Sequence, residues 1–200
     1  MSDVVDLERA VELLARGGVV AVATDTVYGV AAALSQPAAV ARLFTVKRRP
    51  TSVALPVVVD SVAMVEELAV TWPGLARRAS GAFWPGALTI VVSAPEELAT
   101  LVGAASATVG FRVPDHESLR NVVRRVGPLA VSSANEHGRP PCRTVDEVLD
   151  AFAGCADLDG VLDGGACHGA VSTVVAIDED SWHVLRLGAV TEDALRRVLQ

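Results

Sequence analysis

Strand-length runs of apolar residues alternate along this chain with stretches in which apolar positions recur every three or four residues. Residues 19–23 form an unbroken apolar run that predicts a buried strand. Further strands are predicted at 55–59, 88–92, 108–113 and 129–132, and shorter ones at 161–163, 172–177 and 182–187. Between them the pattern is helical. Asp3 can cap a first helix that sets Leu7, Ala10, Val11 and Leu14 on one face, and Gly17 and Gly18 close it. Pro37 opens a helix over 38–46 with Val40, Leu43 and Phe44 inward. Asp60 or Ser61 caps a helix reaching Leu68, Pro73 starts one that ends near Gly81, and 117–126 is helical. Thr144 and Glu147 make a capping box for a helix to Ala153, and Thr191 caps the last. Strands and helices thus alternate for most of the chain, with strands clustering near the end. The expected fold class is α/β, a twisted open mixed sheet with helices on its faces, as one domain over 1–200.

Composition narrows the function classes. Hydrophobic residues make up 51% of the 200, ample for a well-filled core. The net charge is -7, so no broad basic face exists to neutralise a phosphate backbone, and no stable nucleic-acid partner is expected. No apolar stretch approaches a membrane span, and the acidic amino terminus is unlike a signal peptide. A cytoplasmic protein without a membrane partner is expected. Cys142, Cys155 and Cys167 lack C-x-x-C spacing, so neither a disulfide framework nor a zinc knuckle is indicated, and no metal ligands are assigned.

The polar residues that fit neither core nor cap roles follow predicted strands. They are Thr24, Thr26 and Tyr28; Lys47 and Arg49; Arg112; Ser133 and Asn135; Ser172 and Thr173; and Arg186. In open α/β sheets ligands sit beyond the carboxyl ends of strands, which makes these positions site candidates. Tyr28 reads equally well as a core phenol with a satisfied hydroxyl, and His116 as a capping residue. Four cations among hydroxyls, with no nucleophile and base in evident pairing, suit a cradle for an anionic substrate, most naturally a phosphate. The two common nucleotide loops, G-x-x-x-x-G-K-[ST] and G-x-G-x-x-G, are absent.

Seven segments in order resemble the YrdC/TsaC family of threonylcarbamoyl-AMP synthases. They are Thr24-Asp25-Thr26-Val27-Tyr28-Gly29, Lys47-x-Arg49-Pro50, Phe83-Trp84-Pro85-Gly86-x-Leu88-Thr89, Arg112-Val113-Pro114-Asp115-His116, Ser133-Ala134-Asn135-x-x-Gly138-Arg139-Pro140, Ser172-Thr173-Val174-Val175 and Leu185-Arg186-x-Gly188-Ala189. The resemblance implies a YrdC-like fold with a concave cationic cavity. It implies that L-threonine, bicarbonate and ATP are joined into threonylcarbamoyl-AMP with release of pyrophosphate. A separate transferase complex would then use the product to make N6-threonylcarbamoyladenosine at position 37 of tRNA. It also implies threonine at Thr26, Arg112, Ser133 and Ser172. ATP would lie along Lys47, Arg49, Thr108, Asn135, Arg143 and Arg186, with Lys47 and Arg49 central to catalysis and Mg2+ accompanying the triphosphate.

The chain departs from the family pattern in places. Val53 and Val58 replace polar residues, Ala87 a proline, Val171 an acidic residue and Arg143 a small hydroxyl residue. Two other readings fit the same fold. One is a carbamoyl-adenylating domain related to hydrogenase maturation, whose usual C-x-x-C pairs are absent here; the other is an RNA-binding or ribosome-assembly module, which 17 basic against 24 acidic residues disfavour.

Overall fold

The computed structural model describes residues 3–46, 54–135 and 139–200. A mixed ten-stranded sheet runs through it in the order β1-β8-β2-β3-β7-β4-β6-β5-β9-β10. The strands are β1 (Val4–Val5), β2 (Val20–Val22), β3 (Gly29–Ala33), β4 (Val57–Val58), β5 (Leu88–Ser93), β6 (Thr108–Arg112), β7 (Leu129–Ser133), β8 (Gly160–Leu162), β9 (Thr173–Ile177) and β10 (Trp182–Arg186). The helices are α1 (Leu7–Ala15), α2 (Pro37–Val46), α3 (Val62–Leu68), α4 (Gly74–Phe83), α5 (Glu96–Leu101), α6 (Glu117–Val126), α7 (Val145–Ala151) and α8 (Glu192–Leu199).

The expected α/β class is what forms, with corrections at the ends. Asp6, not Asp3, caps α1, accepting from the Arg9 N–H at 2.8 Å, because Val4 and Val5 are drawn into a parallel pair with β8. The Gly17-Gly18 stop is a Schellman turn: the Gly18 and Gly17 N–H groups return to the Leu13 and Leu14 carbonyls, with Gly17 at φ 84. Ser61, rather than Asp60, caps α3. In α7, Thr144 accepts from the Glu147 N–H at 3.3 Å, while the Glu147 carboxylate reaches back to the Arg143 N–H at 2.6 Å. The strands β1 and β3 and the short helix α5 are additions to the predicted set.

Period-two alternation assigns side chains to two layers. Ala21, Val30, Ala32, Ala130, Ile90, Phe111 and Val175 join the larger core, with Val40 and Leu43 of α2, Ala76 and Ala79 of α4, and Leu195 and Leu199 of α8. Val20, Val22, Ala31, Ala33, Leu129 and Val131 face the other way, against Ala10 and Leu14 of α1 and Leu119, Val122 and Val123 of α6. On this second side the helical cover stops near β4. The outward-facing positions of β6, β5 and β9 (Thr108, Gly110 and Arg112; Thr89 and Val91; Val174) instead line a cavity.

Candidate functional site

That cavity has a volume of about 500 Å3, in the range of small-molecule sites. Strands and loops alone supply its described wall; no wall residue lies in a helix. Gly110, between Thr108 and Arg112 on the same strand face, leaves the floor clear. The sequence places the site at strand ends; Arg112, Ser133 and Arg186 do end β6, β7 and β10, while Thr89, Thr108, Gly110 and Val174 extend the cavity over the sheet face. The physical reason is the mixed sheet: β6 pairs antiparallel with β5 and parallel with β4, so carboxyl ends do not gather on one edge as they do in a doubly wound sheet.

The hairpin turn between β2 and β3 carries one end of the site. Thr24 Oγ1 donates to the Val27 carbonyl at 2.7 Å and accepts from the Thr26 and Val27 N–H groups, so this hydroxyl folds the turn. With its proton on Val27, it can only accept from Thr26 Oγ1, 2.9 Å away. Thr26 Oγ1 in turn accepts from Arg112 Nη1 at 3.1 Å. Arg112 Nε donates to the Gly86 carbonyl at 2.9 Å, and Nη2 to Asp25 Oδ1 at 2.6 Å. Burial pushes the Arg112 pKa down, and the Asp25 carboxylate opposes that shift.

Arg186 stands at the other end. Its Nη2 donates to the Ser172 carbonyl at 2.8 Å and to Ser172 Oγ at 3.1 Å, and Ser172 Oγ lies 3.1 Å from Thr89 Oγ1. Burial, and next the positive charge of Arg112, push the Arg186 pKa down. Thr108 Oγ1 lies 2.9 Å from Ser106 Oγ on the rim.

Of the residues predicted for the site, the structure brings Thr26, Thr108, Arg112, Ser133, Ser172 and Arg186 onto one wall. Lys47 and Arg49 lie outside the described residues, as does Val53. Asn135 and Arg143 are not among the described residues of the wall. Ser133 Oγ donates to Asn135 Oδ1 at 2.6 Å and Asn135 Nδ2 to the Arg139 carbonyl at 2.7 Å. Arg143 Nη1 donates to the Cys167 and Gly169 carbonyls, tying down the glycine-rich loop. His116 caps α6, its Nδ1 accepting from the Leu119 N–H. Asp25 and Thr89 stand in the sequence only as motif members; the signal for Asp25 is a carboxylate within the turn after the first predicted strand.

Tyr28 is fully buried; its hydroxyl donates to the Gly165 carbonyl at 2.9 Å and accepts from the Gly164 N–H at 3.3 Å. It is a core phenol that fastens the glycine loop to the site turn. Burial pushes its pKa up to about 12, helped by the nearby Asp163 charge and opposed by the Gly164 bond. A folded pKa above the unfolded value of about 10 gives stability that is complete below pH 10 and declines as pH rises toward 12. Tyr28→Phe is expected to cost about 1–2 kcal/mol at neutral pH by unpairing Gly164 and Gly165, and to flatten that alkaline decline. Urea melts between pH 8 and 11 check both effects.

The family model for Sua5/YciO/YrdC, described as telomere recombination, matches residues 12–188. A Mycobacterium leprae protein provisionally named a threonylcarbamoyl-AMP synthase is 40% identical over 192 residues, covering 95% of this chain and 86% of that protein. Threonylcarbamoyl-AMP synthase of Bacillus subtilis is 33% identical over 196 residues, and the match spans 96% of this chain but 56% of that protein. The crystal structure of Pyrococcus abyssi Sua5 complexed with L-threonine superposes with a TM-score of 0.91 at 30% identity, covering all of this chain and 61% of that one. The chain thus spans nearly the whole of one relative and little more than half of the two longer ones.

Proposed function

The chain belongs to the Sua5/YciO/YrdC family, and from that premise we propose that it is an L-threonylcarbamoyladenylate synthase, a nucleotidyltransferase acting on L-threonine, bicarbonate and ATP. The observation that carries this reading is the shared wall. Two guanidiniums, Arg112 and Arg186, and the hydroxyls of Thr26, Thr108, Ser133 and Ser172 meet in one cavity of about 500 Å3. A relative of the same fold holds L-threonine.

In this reading the amino acid lies at the Arg112 end, its carboxylate on the guanidinium and its polar atoms near Thr26, Ser133 and Ser172. The triphosphate lies toward Arg186 and Thr108, with Lys47 and Arg49 at the phosphates. The threonine amine and bicarbonate condense to an N-carboxylate, an amine proton and the bicarbonate hydroxyl leaving as water. One of its oxygens attacks the α-phosphorus, the bond to the bridging oxygen breaks, and pyrophosphate leaves. Neither nucleophile needs a protein base, so alignment and charge stabilisation supply the rate, on the order of 7–11 kcal/mol from alignment.

Magnesium would enter with ATP, held by phosphate oxygens and water. Among the described residues no group of three or more His, Cys, Asp or Glu is arranged to ligate a metal. The product would pass to a threonylcarbamoyl transferase complex that modifies tRNA, a division of labour that fits an acidic chain. Among the described residues no helix is long and apolar enough to cross a membrane, in keeping with a cytoplasmic location.

The test is to incubate protein with ATP, Mg2+, bicarbonate and single amino acids, following pyrophosphate and the adenylate by mass. Threonine- and bicarbonate-dependent adenylate is expected, reduced about a hundredfold in Lys47→Ala and in Arg49→Ala. ATP binding without adenylate from any amino acid overturns the proposal in favour of a binding module.

A further inference from the structure

Arg112 and Arg186 share a cavity but differ in electrostatic state. Arg112 is paired with Asp25, Nη2 to Oδ1 2.6 Å, with the two side chains only 10% and 16% exposed. Arg186 donates to the carbonyl and hydroxyl of Ser172, and no carboxylate among the described residues pairs with it. One end of the cavity is therefore a buried pair of no net charge, and the other a cation with neutral partners.

A guanidinium has five N–H donors. Gly86, Thr26 and Asp25 take one each from Nε, Nη1 and Nη2, which leaves one N–H on each terminal nitrogen of Arg112. Two donors on a neutralised group suit the two oxygens of one carboxylate and give a polyphosphate little net attraction. The uncancelled charge of Arg186 favours the polyphosphate. Asp25 is absent from the cavity wall, so it acts through Arg112 and not on a ligand directly.

We propose that Asp25 is a specificity-determining positioning residue that sorts the two anions: it reserves Arg112 for a single carboxylate and leaves the polyphosphate to the Arg186 end. This rests on the synthase reading. Without the Asp25 charge, Arg112 becomes a second attractive end for phosphates, and polyphosphate then competes with the amino acid.

The test measures L-threonine binding by calorimetry at rising tripolyphosphate, with adenylate synthesis assayed in parallel. In wild type and in Asp25→Glu, L-threonine affinity is expected to be independent of tripolyphosphate. In Asp25→Asn it should weaken at least about tenfold as tripolyphosphate saturates. Should the Asn variant fail to fold, as thermal unfolding would show, Asp25→Ser removes the same charge. Affinity unmoved by tripolyphosphate in the folded charge-removing variant overturns the sorting role. So does loss of both ligands together, or competition already present in wild type. Absence of adenylate in wild type refutes the synthase reading instead, so the two failures are told apart.

Discussion

Arg112→Ala is expected to lower threonine-dependent adenylate formation about a thousandfold in kcat/KM and to cost about 3–5 kcal/mol of stability. Both effects trace to one guanidinium. Its three bonds hold together the Gly86 carbonyl, the Thr26 hydroxyl and the Asp25 carboxylate, which come from two separate loops. Truncation leaves Asp25 as an unpaired carboxylate with 16% of its side chain exposed, and stranding a buried charge costs more than forming the pair gains. It also removes the donors proposed for the amino-acid carboxylate. Arg112→Lys separates the two contributions: a single ammonium keeps the Asp25 charge compensated but cannot span three acceptors in a planar fork. Urea melts should therefore recover most of the stability in the Lys variant while KM for L-threonine stays raised at least tenfold. Recovery of both together would mean that Arg112 serves the turn alone.

Much of this arrangement was legible in the sequence, for physical reasons that differ by residue. The strands β5, β6 and β9 are strongly apolar at every second position, since Leu88, Ile90, Val109, Phe111 and Val175 all enter the larger core. Of their intervening residues only Arg112 carries a site signal by fitting neither core nor cap; Thr89, Thr108 and Val174 enter with the family resemblance, so the open sheet face is not evident from the alternation alone. β3 carries a weak strand signal because Gly29-Val30-Ala31-Ala32-Ala33 has only one β-branched residue. Small side chains are nevertheless what this position needs, for the strand is buried along its whole length between β2 and β7, with helices packed on both sides. Gly29 itself cannot be larger, as a Cβ would come within 2.6 Å of Val131 Cγ1. α5 spans only six residues and has one fully buried position, Ala99, too little for a periodic signal. Asp25 was visible as a letter in a turn motif, but its partner lies 87 residues away, and only the folded register brings the two together.

Gly188→Ala is expected to lower adenylate formation about a hundredfold and to destabilise the protein by about 1–3 kcal/mol, with the kinetic loss on the ATP side. The added methyl would lie 2.1 Å from the Val171 carbonyl oxygen and 2.6 Å from the Ser172 carbonyl carbon. These are backbone atoms that no rotamer change can move aside. The segment after β10 is also pinned: the Gly188 and Val190 N–H groups donate to Thr173 Oγ1, and Thr173 Oγ1 donates to the Val190 carbonyl at 2.6 Å. Relief must therefore come from displacing the Val171 and Ser172 carbonyls, and the Ser172 carbonyl is the one that accepts from Arg186 at 2.8 Å. A shift of about 1 Å there uncouples Arg186 from Ser172 while leaving the Arg112, Asp25 and Thr26 bonds intact. The signature is a KM for ATP that rises at least tenfold with KM for L-threonine changed less than threefold. Equal rises in both constants would show that the two ends of the cavity move as one body, and the assignment of the Arg186 end to the triphosphate would lose its kinetic support.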